Sequence, residues 1–515
     1  MNIQNFVEEN IKFLSPFEIK KGGPKLLIEE IGLPMITHMN ATFGVILNQA
    51  KGWWPVWLNN DKYQADLVKS YFPESEPINE VGPSWLLKTY ASLVALAKFP
   101  KILFSRNILN FYFDGVKYGD IVYDSYLYTH KIATIKTINL KLIRQMALCV
   151  FRHLKIKAIL KTDNYAGVLV SHLVGIRSGV MLRVALRYGY HGYFRGGAFC
   201  DYQKLEEIYN YPFKPTPAEI DEIIEKLGPK LEPVFEQVLD NHVSDKSSMD
   251  GVDAFSKNNK FYTDRRKFNA DFNLMPKRKN IFVMLHSFID SPHSHFKWMI
   301  FKDYYDWFYQ TLQFAKKNPQ FNWIFKQHPS NKYYKTSDVD FKKLFAGLPK
   351  NIIYIDEEHQ IDTRSLIYCA DLVITCLGSA GFEIPAMGGV PSMTAADNFY
   401  TGLGFALEPK NRAEYFSLLS RANTITKLTP EARNRAKAAF IYIREYAMVS
   451  MSAFPKLSLD EQNDKKINDW YWSRVIVAYQ NQREVIYNEL DRYINLIKQP
   501  NFKKLTSLNE LFQHK

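Results

Sequence analysis

Cysteine is scarce in this sequence, and no two cysteines form a metal-binding or redox pair. Only four occur among 515 residues, Cys149, Cys200, Cys369 and Cys376, and none belongs to a C-x-x-C motif. Their spacing indicates neither a zinc site nor a disulfide framework. The first residues lack the basic start and apolar core of a signal peptide, and no uninterrupted apolar run reaches membrane-spanning length. These absences favour a cytoplasmic protein.

Acidic residues are also in short supply relative to basic ones. The chain has 53 Asp and Glu against 66 Lys and Arg, a net charge of +13. This excess favours anionic partners such as nucleotides, acidic glycans or the anionic leaflet of a membrane. No dense basic stretch or nucleic-acid motif is present, since Lys277–Lys279 is short. We therefore expect no nucleic-acid partner, and peripheral contact with the inner face of the cytoplasmic membrane stays open.

Short apolar runs alternate with helical patterns in two blocks of the chain. In the first block, Lys101–Ser105 and Lys157–Lys161 have the composition of strands, and residues 137–153 and 179–188 have helical spacing. In the second block we predict strands at Ile281–Leu285, Asn322–Lys326, Ile352–Ile355 and Leu372–Cys376, with helices between them. This alternation predicts an α/β fold with two Rossmann-like domains.

The domain boundaries follow from composition. We predict a first domain over residues 1–250, a polar linker over 251–279, a second domain over 280–455, and C-terminal helices over 456–515 that return to the first domain. Trp53, Trp54 and Trp57 lie close together near the N-terminus. Such a cluster is typical of a membrane-interface or sugar-stacking element, but more often of a packed core corner, which we favour.

Two segments at predicted strand ends carry the most specific chemistry. One strand ends in Lys326-Gln327-His328-Pro329, and another opens into Gly378-Ser379-Ala380-Gly381-Phe382-Glu383. Small residues between a strand and a helix let backbone N–H groups and the helix dipole meet an anion. Glu383 follows about one turn into the helix, where a carboxylate reaches a ribose hydroxyl. The pattern predicts a nucleotide-phosphate pocket with His328 beside it.

At these residues the sequence resembles the bacterial capsule-polysaccharide glycosyltransferases of GT-B fold, particularly the Kdo transferases that use CMP-Kdo. The resemblance spans residues 115–405. It is carried by the segments Tyr118–Tyr126, Asp163–Tyr165, Leu285–Pro292, Lys326–Pro329, Gly378–Glu383, Asn398–Tyr400 and Gly402–Leu403. Cys376-Leu377 departs from the polar residues that many relatives carry before this glycine. The resemblance implies two Rossmann-like domains facing a central cleft, with the donor held by the second.

The resemblance also implies roles for single residues. His328 would contact the donor phosphate and stabilise the leaving nucleotide. Independently of the resemblance, the chemistry needs a base for the acceptor hydroxyl. Asp163, which ends a predicted strand of the first domain, is the first candidate, followed by Asp124 and Asp290. The remaining donor-binding candidates are His286, Lys326, Gly378, Ser379, Ala380, Gly381 and Glu383. Asp338-Val339-Asp340 has the letters of a metal-binding D-x-D motif, but its polar surroundings favour no metal. We expect no cofactor, because the nucleotide-sugar is a substrate.

Several functions are compatible with these residues. The leading hypothesis is transfer of a sugar, Kdo or a related acidic sugar, from a CMP-linked donor to a lipid-linked or polysaccharide acceptor. The alternatives are a CDP-polyol phosphotransferase of teichoic-acid type, a nucleotide-sugar epimerase, and a non-catalytic scaffold of a capsule assembly complex.

Overall fold

The computed structural model describes residues 3–29, 32–59, 64–79, 85–196, 201–209, 214–244, 259–295, 297–357, 361–447, 451–455, 461, 466–500 and 502. Within it the chain divides into two compact units. The described residues of the first unit lie within Met1–Ser125, Thr137–Pro212 and Ala447–Ser507. Those of the second lie within Tyr126–Lys136 and Phe213–Tyr446.

The N-terminal part of the chain forms helices and short strands. The elements are α1 (Ile3–Leu14), β1 (Lys25–Glu29), α2 (Pro34–Lys51), β2 (Trp54–Asn59), α3 (Ala65–Lys69), β3 (Ile78–Asn79), α4 (Trp85–Ser105), β4 (Tyr112–Phe113), β5 (Val116–Lys117), α5 (Gly119–His130), α6 (Lys141–Leu160), β6 (Tyr165–Val170), α7 (Val180–Arg187), β7 (His191–Gly196) and β8 (Asp201–Leu205). The main sheet has the order β3-β2-β1-β6-β7-β8 and is parallel except for β8. β4 and β5 form a separate hairpin.

The second unit repeats this plan. Its elements are α8 (Pro217–Leu227), α9 (Leu231–Ser244), α10 (Arg265–Asp271), β9 (Asn280–Met284), α11 (Tyr304–Lys317), β10 (Asn322–Lys326), α12 (Phe341–Phe345), β11 (Ile352–Ile355), α13 (Leu366–Cys369), β12 (Leu372–Thr375), α14 (Ala380–Gly388), β13 (Ser392–Thr394), β14 (Ala406–Leu407), α15 (Arg412–Ser420) and α16 (Pro430–Ile441). The sheet order is β11-β10-β9-β12-β13-β14, all parallel. Counted in chain order, both sheets read 3-2-1-4-5-6, the order of dinucleotide-binding folds.

The second sheet is covered on both faces, which is why its strands are apolar along their length. Successive residues of a strand point to opposite faces. On β9, Ile281 and Val283 therefore join one buried cluster, whereas Phe282 joins another. The same alternation places Trp323 and Ile324 of β10 in different clusters. The predicted fold class, α/β with two Rossmann-like units, is confirmed.

The C-terminal helices α17 (Ile467–Asn481) and α18 (Arg483–Lys498) return to the first unit, as predicted. α17 packs on α1 and α18 packs on α2. The Phe13 ring stacks on Tyr479 at a centroid distance of 3.8 Å, and the Tyr479 hydroxyl donates to Asn10 at 3.0 Å. Trp53 and Trp57 belong to the same apolar core, as the packed-corner interpretation expects.

Two strand predictions in the first block are wrong. Lys101–Ser105 is the last part of α4, and residues 157–160 close α6. A short apolar run is compatible with a buried strand and with the buried side of a helix. Both of these runs lie at the ends of long helices. β1 and β2, which the sequence pattern did not predict, supply the strands of this sheet instead.

The chain enters the second unit earlier than the composition suggests. The unit includes α8 and α9, which we placed in the first domain, and residues 126–136. Part of the predicted linker, residues 251–258, lies outside the described residues, and its later part contains α10. Among the described helices, none combines the length and the apolar character needed to cross a bilayer.

Candidate active site

A cavity lies at the carboxyl edge of the second sheet, where β9 and β12 are neighbours and their connections leave in opposite directions. Parallel α/β sheets bind ligands at this switch point. The cavity holds about 590 Å³ of space, part of it open to solvent. Its lining comes from the ends of three strands, from α14 and from three further helical segments: His242, Met284, Leu285, His286, Lys326, Gln327, His328, Pro329, Thr363, Thr375, Gly378, Ser379, Ala380, Glu383 and Arg444.

Lys326, the last residue of β10, brings a cation into this cavity. Its side chain is only 5% exposed, and no carboxylate of the described residues forms an ion pair with it. Burial lowers the pKa of its ammonium from 10.5 to about 8. A buried charge without a partner is costly, so Lys326 favours any anion that enters the cavity.

The next residue supplies a second unused donor. Gln327 is buried, and its Oε1 accepts a hydrogen bond from the backbone N–H of His328 at 3.1 Å. Its Nε2 has no hydrogen-bond partner among the described residues. Buried polar atoms are nearly always satisfied, so this donor, which no described protein group uses, is available to an acceptor that enters the cavity.

His286, just after β9, is held by the backbone that follows β12. Its Nε2 accepts from the N–H groups of Leu377 at 3.0 Å and Cys376 at 3.3 Å, so its proton lies on Nδ1. Its ring stacks on Tyr304 at 4.6 Å. Burial and the neighbouring His328 lower the pKa of His286 to about 3. His286 is therefore neutral, and it positions the turn before α14.

The glycines of the predicted phosphate loop have different tasks. Gly378 lines the cavity, and a Cβ there would lie 2.7 Å from Thr375 Oγ1, so only glycine allows the turn to fold against β12. A Cβ on Gly381 would instead lie 1.9 Å from the hydroxyl of Tyr400. Gly381 faces the packed side of α14 and does not line the cavity. The close approach of Tyr400 therefore explains why position 381 is a glycine.

The first turn of α14 completes the wall opposite Lys326. Ser379 and Ala380 line the cavity, and the Ser379 side chain does not cap the helix. The N–H groups of Gly381, Phe382 and Glu383 already donate to the carbonyls of Gly378 and Ser379, so among the described residues the N–H groups of Ser379 and Ala380 are the ones that the helix start leaves for an anion. Together with the positive end of the helix dipole they attract an anion. The predicted cluster of His328, Lys326, Ser379 and Ala380 thus lines one cavity.

Glu383 lies one turn further along α14 and is held by two residues that the sequence pattern did not indicate. Its Oε1 accepts from Arg444, and His242 Nε2 lies 3.4 Å from the same oxygen. Burial raises the pKa of Glu383, but Arg444 and His242 outweigh it and lower the pKa to about 2. Glu383 is therefore ionised, and its charge is already paired with Arg444.

The candidate general bases lie in different places. We expected Asp163 to follow a strand. Instead it precedes β6, at the amino end of the first sheet. There it pairs with Lys25 and is 46% exposed. Ligands bind at the opposite, carboxyl edge of such sheets. Asp290, in contrast, follows β9 at the carboxyl edge of the second sheet and is exposed, although it does not line the cavity.

The acidic residues of the remaining motifs are buried or make hydrogen bonds to other protein groups. Asp120, from the segment Tyr118–Tyr126, is buried and accepts two hydrogen bonds from Arg183, both at 2.7 Å. Asp124 is buried on α5 of the same segment. Asp338 and Asp340 of the D-x-D letters accept from the backbone N–H groups of residues 133 and 343. Asp338 thus holds a distant segment of the chain, and Asp340 caps the start of α12.

Solved structures give distant matches to this chain. Thermosulfurimonas dismutans KpsC, a beta Kdo 2,4 transferase, matches at 13% identity over 57% of this chain and 86% of that chain, with a TM-score of 0.33. The spinosyn rhamnosyltransferase SpnG matches at 12% identity over 83% and 97%, with a TM-score of 0.25. An S. aureus MnaA–UDP co-structure matches at 9% identity over 82% and 94%, also at 0.25.

No protein-family model and no curated protein matches the chain. TM-scores of 0.33 and below are too low to carry a functional argument. The fold class therefore rests on the strand order and the parallel pairing described above, and the function has to be argued from the cavity itself.

Arg444 and His242 are the charged or titratable cavity residues that the sequence did not predict. Arg444 lies in the π-helical turn Tyr442–Tyr446 after α16, and His242 lies near the end of α9. Both α9 and α14 pack against α16, which brings these side chains to Glu383. Neither residue belongs to a short motif, so only the packing of distant helices reveals them.

Proposed function

We propose that this protein is a glycosyltransferase whose second unit binds a nucleotide-linked sugar donor in the cavity at the carboxyl ends of β9, β10 and β12. The donor phosphate would lie between Lys326 and the first turn of α14. The observation that carries this proposal is the buried cation of Lys326 beside the amide of Gln327 Nε2, neither of which has a partner among the described residues. An anion with several acceptor oxygens satisfies both groups at once.

The same groups suit the chemistry of glycosyl transfer. Positive character develops on the sugar while negative charge develops on the departing phosphate. Donors held in place around that phosphate lower the barrier, because they need no reorganisation during the reaction. Lys326, the α14 amides and His328 would have this role. Lys326 would also supply the positive charge for which other transferases use a metal ion.

We assign the general base to Asp290 and no longer to Asp163. A base has to reach the acceptor hydroxyl, and Asp290 is the candidate at the carboxyl edge of the sheet that forms the cavity. Replacing Asp290 by Asn is expected to lower turnover about 100-fold while nucleotide affinity stays the same. Single-turnover kinetics together with a nucleotide titration separate these two effects.

The finer assignment rests on the resemblance of the sequence segments. It favours a CMP-linked acidic sugar such as Kdo as donor, with Glu383 near the ribose and a glycan or lipid-linked acceptor. The net charge of +13 is consistent with an acidic sugar and an anionic acceptor. A role in surface or capsular polysaccharide synthesis follows from the same resemblance.

Calorimetric titration of the full chain with CMP, CDP and UDP tests the proposal. We expect selective binding of CMP and a loss of about 10- to 100-fold in Lys326→Met, because one charge-assisted contact disappears. Lys343→Met is the matched control, since Lys343 is an exposed lysine of the same unit. It should bind like the wild-type protein.

The other outcomes are equally informative. If no nucleotide binds, the proposal fails and a scaffold role gains support. If CDP binds best and the product retains the donor phosphate, the protein is a polyol phosphotransferase. Interconversion of donor sugars without any acceptor would identify an epimerase.

A further inference from the structure

Helix α4 of the first unit has an open apolar side. The side chains of Trp85, Leu86, Tyr90, Leu93, Leu96 and Phe104 are each more than half exposed, and Phe104 reaches 86%. These six residues are called the outer face of α4. Such a concentration of large exposed apolar side chains on one helix is unusual for a protein surface that has no partner.

The opposite side of α4 already has its partner. Ala91, Ala95, Phe99 and Ile102 recur at the spacing of one helix face, and all four are buried. α4 packs on α6 through this side. The outer face is therefore not needed for the core of the first unit. α4 has two apolar sides, of which the fold uses one.

The charges on α4 are all of one sign. Lys88, Lys98 and Lys101 are exposed, and residues 85–105 contain neither Asp nor Glu. The helix beneath it continues this pattern, because residues 141–161 also lack an acidic residue. Burial and the nearby cations of Lys88 and Arg152 lower the pKa of Lys155 on α6, which shows that positive charges gather beside α4.

We propose that the outer face of α4 docks on an anionic membrane surface. An interfacial helix lies in the plane of the bilayer with its apolar side in the acyl boundary and its lysines at the headgroups. Trp85 and Tyr90 have the amphipathic rings that favour this depth. Lys88 lies on the side of α4 that faces α6, where its ammonium is over the Phe151 ring. Lys98 and Lys101 are exposed, and their long stems allow the charged ends to reach anionic headgroups.

The same charges disfavour a second copy of this chain as the occupant. A contact between two copies of α4 would bring the lysines of both helices into one interface, and α4 has no carboxylate to compensate them. Lysine is also depleted in the cores of protein interfaces. A lipid surface supplies the missing negative charge, and the docking does not depend on the proposed nucleotide site.

Flotation of the full chain with lipid vesicles tests this inference. We expect strong binding to phosphatidylcholine vesicles with about 30% phosphatidylglycerol and weak binding to phosphatidylcholine alone. Lys98→Gln and Lys101→Gln should each weaken binding about fivefold. Leu93→Ser combined with Leu96→Ser should weaken it at least about tenfold and leave the remainder sensitive to about 0.5 M NaCl.

Matched controls exclude unfolding and a general loss of surface hydrophobicity. Val477→Ser with Val485→Ser removes two exposed apolar residues from α17 and α18, and it should leave vesicle binding unchanged. Circular dichroism and urea denaturation check that each variant is folded. Equal binding to neutral and anionic vesicles, or no binding to either, overturns the inference. A wild-type dimer that the Leu93→Ser/Leu96→Ser variant converts to a monomer also overturns it, in favour of a second copy.

Discussion

The two units share a strand order but differ at the edge where such sheets bind ligands. In the second unit the carboxyl ends of β9 and β12 border a cavity with an unpaired cation. In the first unit the corresponding strands are β1 and β6, and β1 ends in Glu29, which is buried. The same topology therefore presents a positive cavity in one unit and a buried carboxylate in the other.

The Glu29 carboxylate accepts hydrogen bonds from donors at the carboxyl edge of its own sheet. The backbone N–H of Ser171, just after β6, donates to its Oε2 at 3.2 Å, and the Ser178 hydroxyl lies 2.7 and 2.8 Å from its two oxygens. Asn40 reaches the Glu29 carbonyl and accepts from Arg195 at 2.8 Å. The first switch point has its own carboxylate, whereas the second has donors that no described residue uses.

This difference shows that strand order defines where a site can form, while single side chains decide whether it is open. In the first unit, the Glu29 carboxylate at the end of β1 accepts from the amide and hydroxyl donors nearby. In the second unit, Lys326 at the end of β10 is itself a donor, so the donors at that edge remain available to a ligand.

Glu383→Ala should have the largest effect, because it leaves the charge of Arg444 buried without a partner. We expect a loss of about 3 to 5 kcal/mol in the free energy of unfolding at pH 7, measured by urea denaturation. The folded pKa of Glu383, about 2, lies below its unfolded value of 4.5. As the pH falls the unfolded chain takes up the proton first, so this stabilisation is present above pH 4.5 and disappears toward pH 2.

The control for Glu383 is Glu222→Ala. Glu222 forms an exposed pair with Lys226 on α8, so its removal should change stability by less than about 1 kcal/mol. Hydrogen exchange should locate the loss of protection around α14 and the strands β9 to β14. Equal stability of the two variants would show that the Glu383–Arg444 pair does not hold this edge together.

Lys326→Met should stabilise the protein while it weakens nucleotide binding. The variant removes a cation that the free cavity leaves unpaired, and the gain at pH 7 should be up to about 3 kcal/mol. The folded pKa of about 8 lies below the unfolded 10.5. Between these values the unfolded wild-type chain binds more protons, so wild-type stability rises with pH relative to the variant.

Urea denaturation of both proteins at pH 7 and pH 10 measures this difference, in which the titration of all other groups cancels. CMP affinity of the wild-type protein should fall above pH 8, and that of Lys326→Met should not. A variant that is less stable than the wild-type protein at pH 7 would indicate that Lys326 has a structural partner and is not reserved for a ligand.

The second unit was the easier one to predict from sequence, for a physical reason. Its strands are short apolar runs with turn residues at both ends, so Asn322–Lys326 and Ile352–Ile355 match the observed bounds. In the first unit, Lys101–Ser105 has the same composition but lies in α4, because an amphipathic helix with two apolar sides also produces apolar runs. Local pattern does not separate these cases.

The site was predictable only where a motif follows a strand. Lys326, His328 and Ser379 are such residues, and the structure brings them to one cavity. Gly381 belongs to the same motif, but its role depends on Tyr400, whose approach no local pattern shows. Arg444 reaches Glu383 from another helix, so it depends entirely on tertiary packing.

Glu29→Gln should have an intermediate effect on stability and should not affect the nucleotide site of the second unit. The amide retains the shape of the side chain but loses one acceptor oxygen, so a buried donor of Ser171 or Ser178 is left unsatisfied. We expect a loss of about 1 to 3 kcal/mol in the free energy of unfolding, with CMP affinity within about twofold of wild type. A new anion site in this variant, detected by phosphate titration, would show that Glu29 had closed an otherwise competent edge.

Asp163→Asn should have the smallest effect, on turnover as well as on CMP affinity. The carboxylate is exposed at the amino edge of the first sheet, and hydrogen bonds from Lys25 and from the backbone of Asn164 lower its pKa. Solvent screens such a pair, so turnover and CMP affinity should both stay within about twofold of wild type. Steady-state kinetics beside Asp290→Asn makes the comparison direct, because both variants remove one carboxylate charge. If Asp163→Asn abolishes turnover while Asp290→Asn does not, the general base belongs to the first unit, and the second unit serves only to hold the donor.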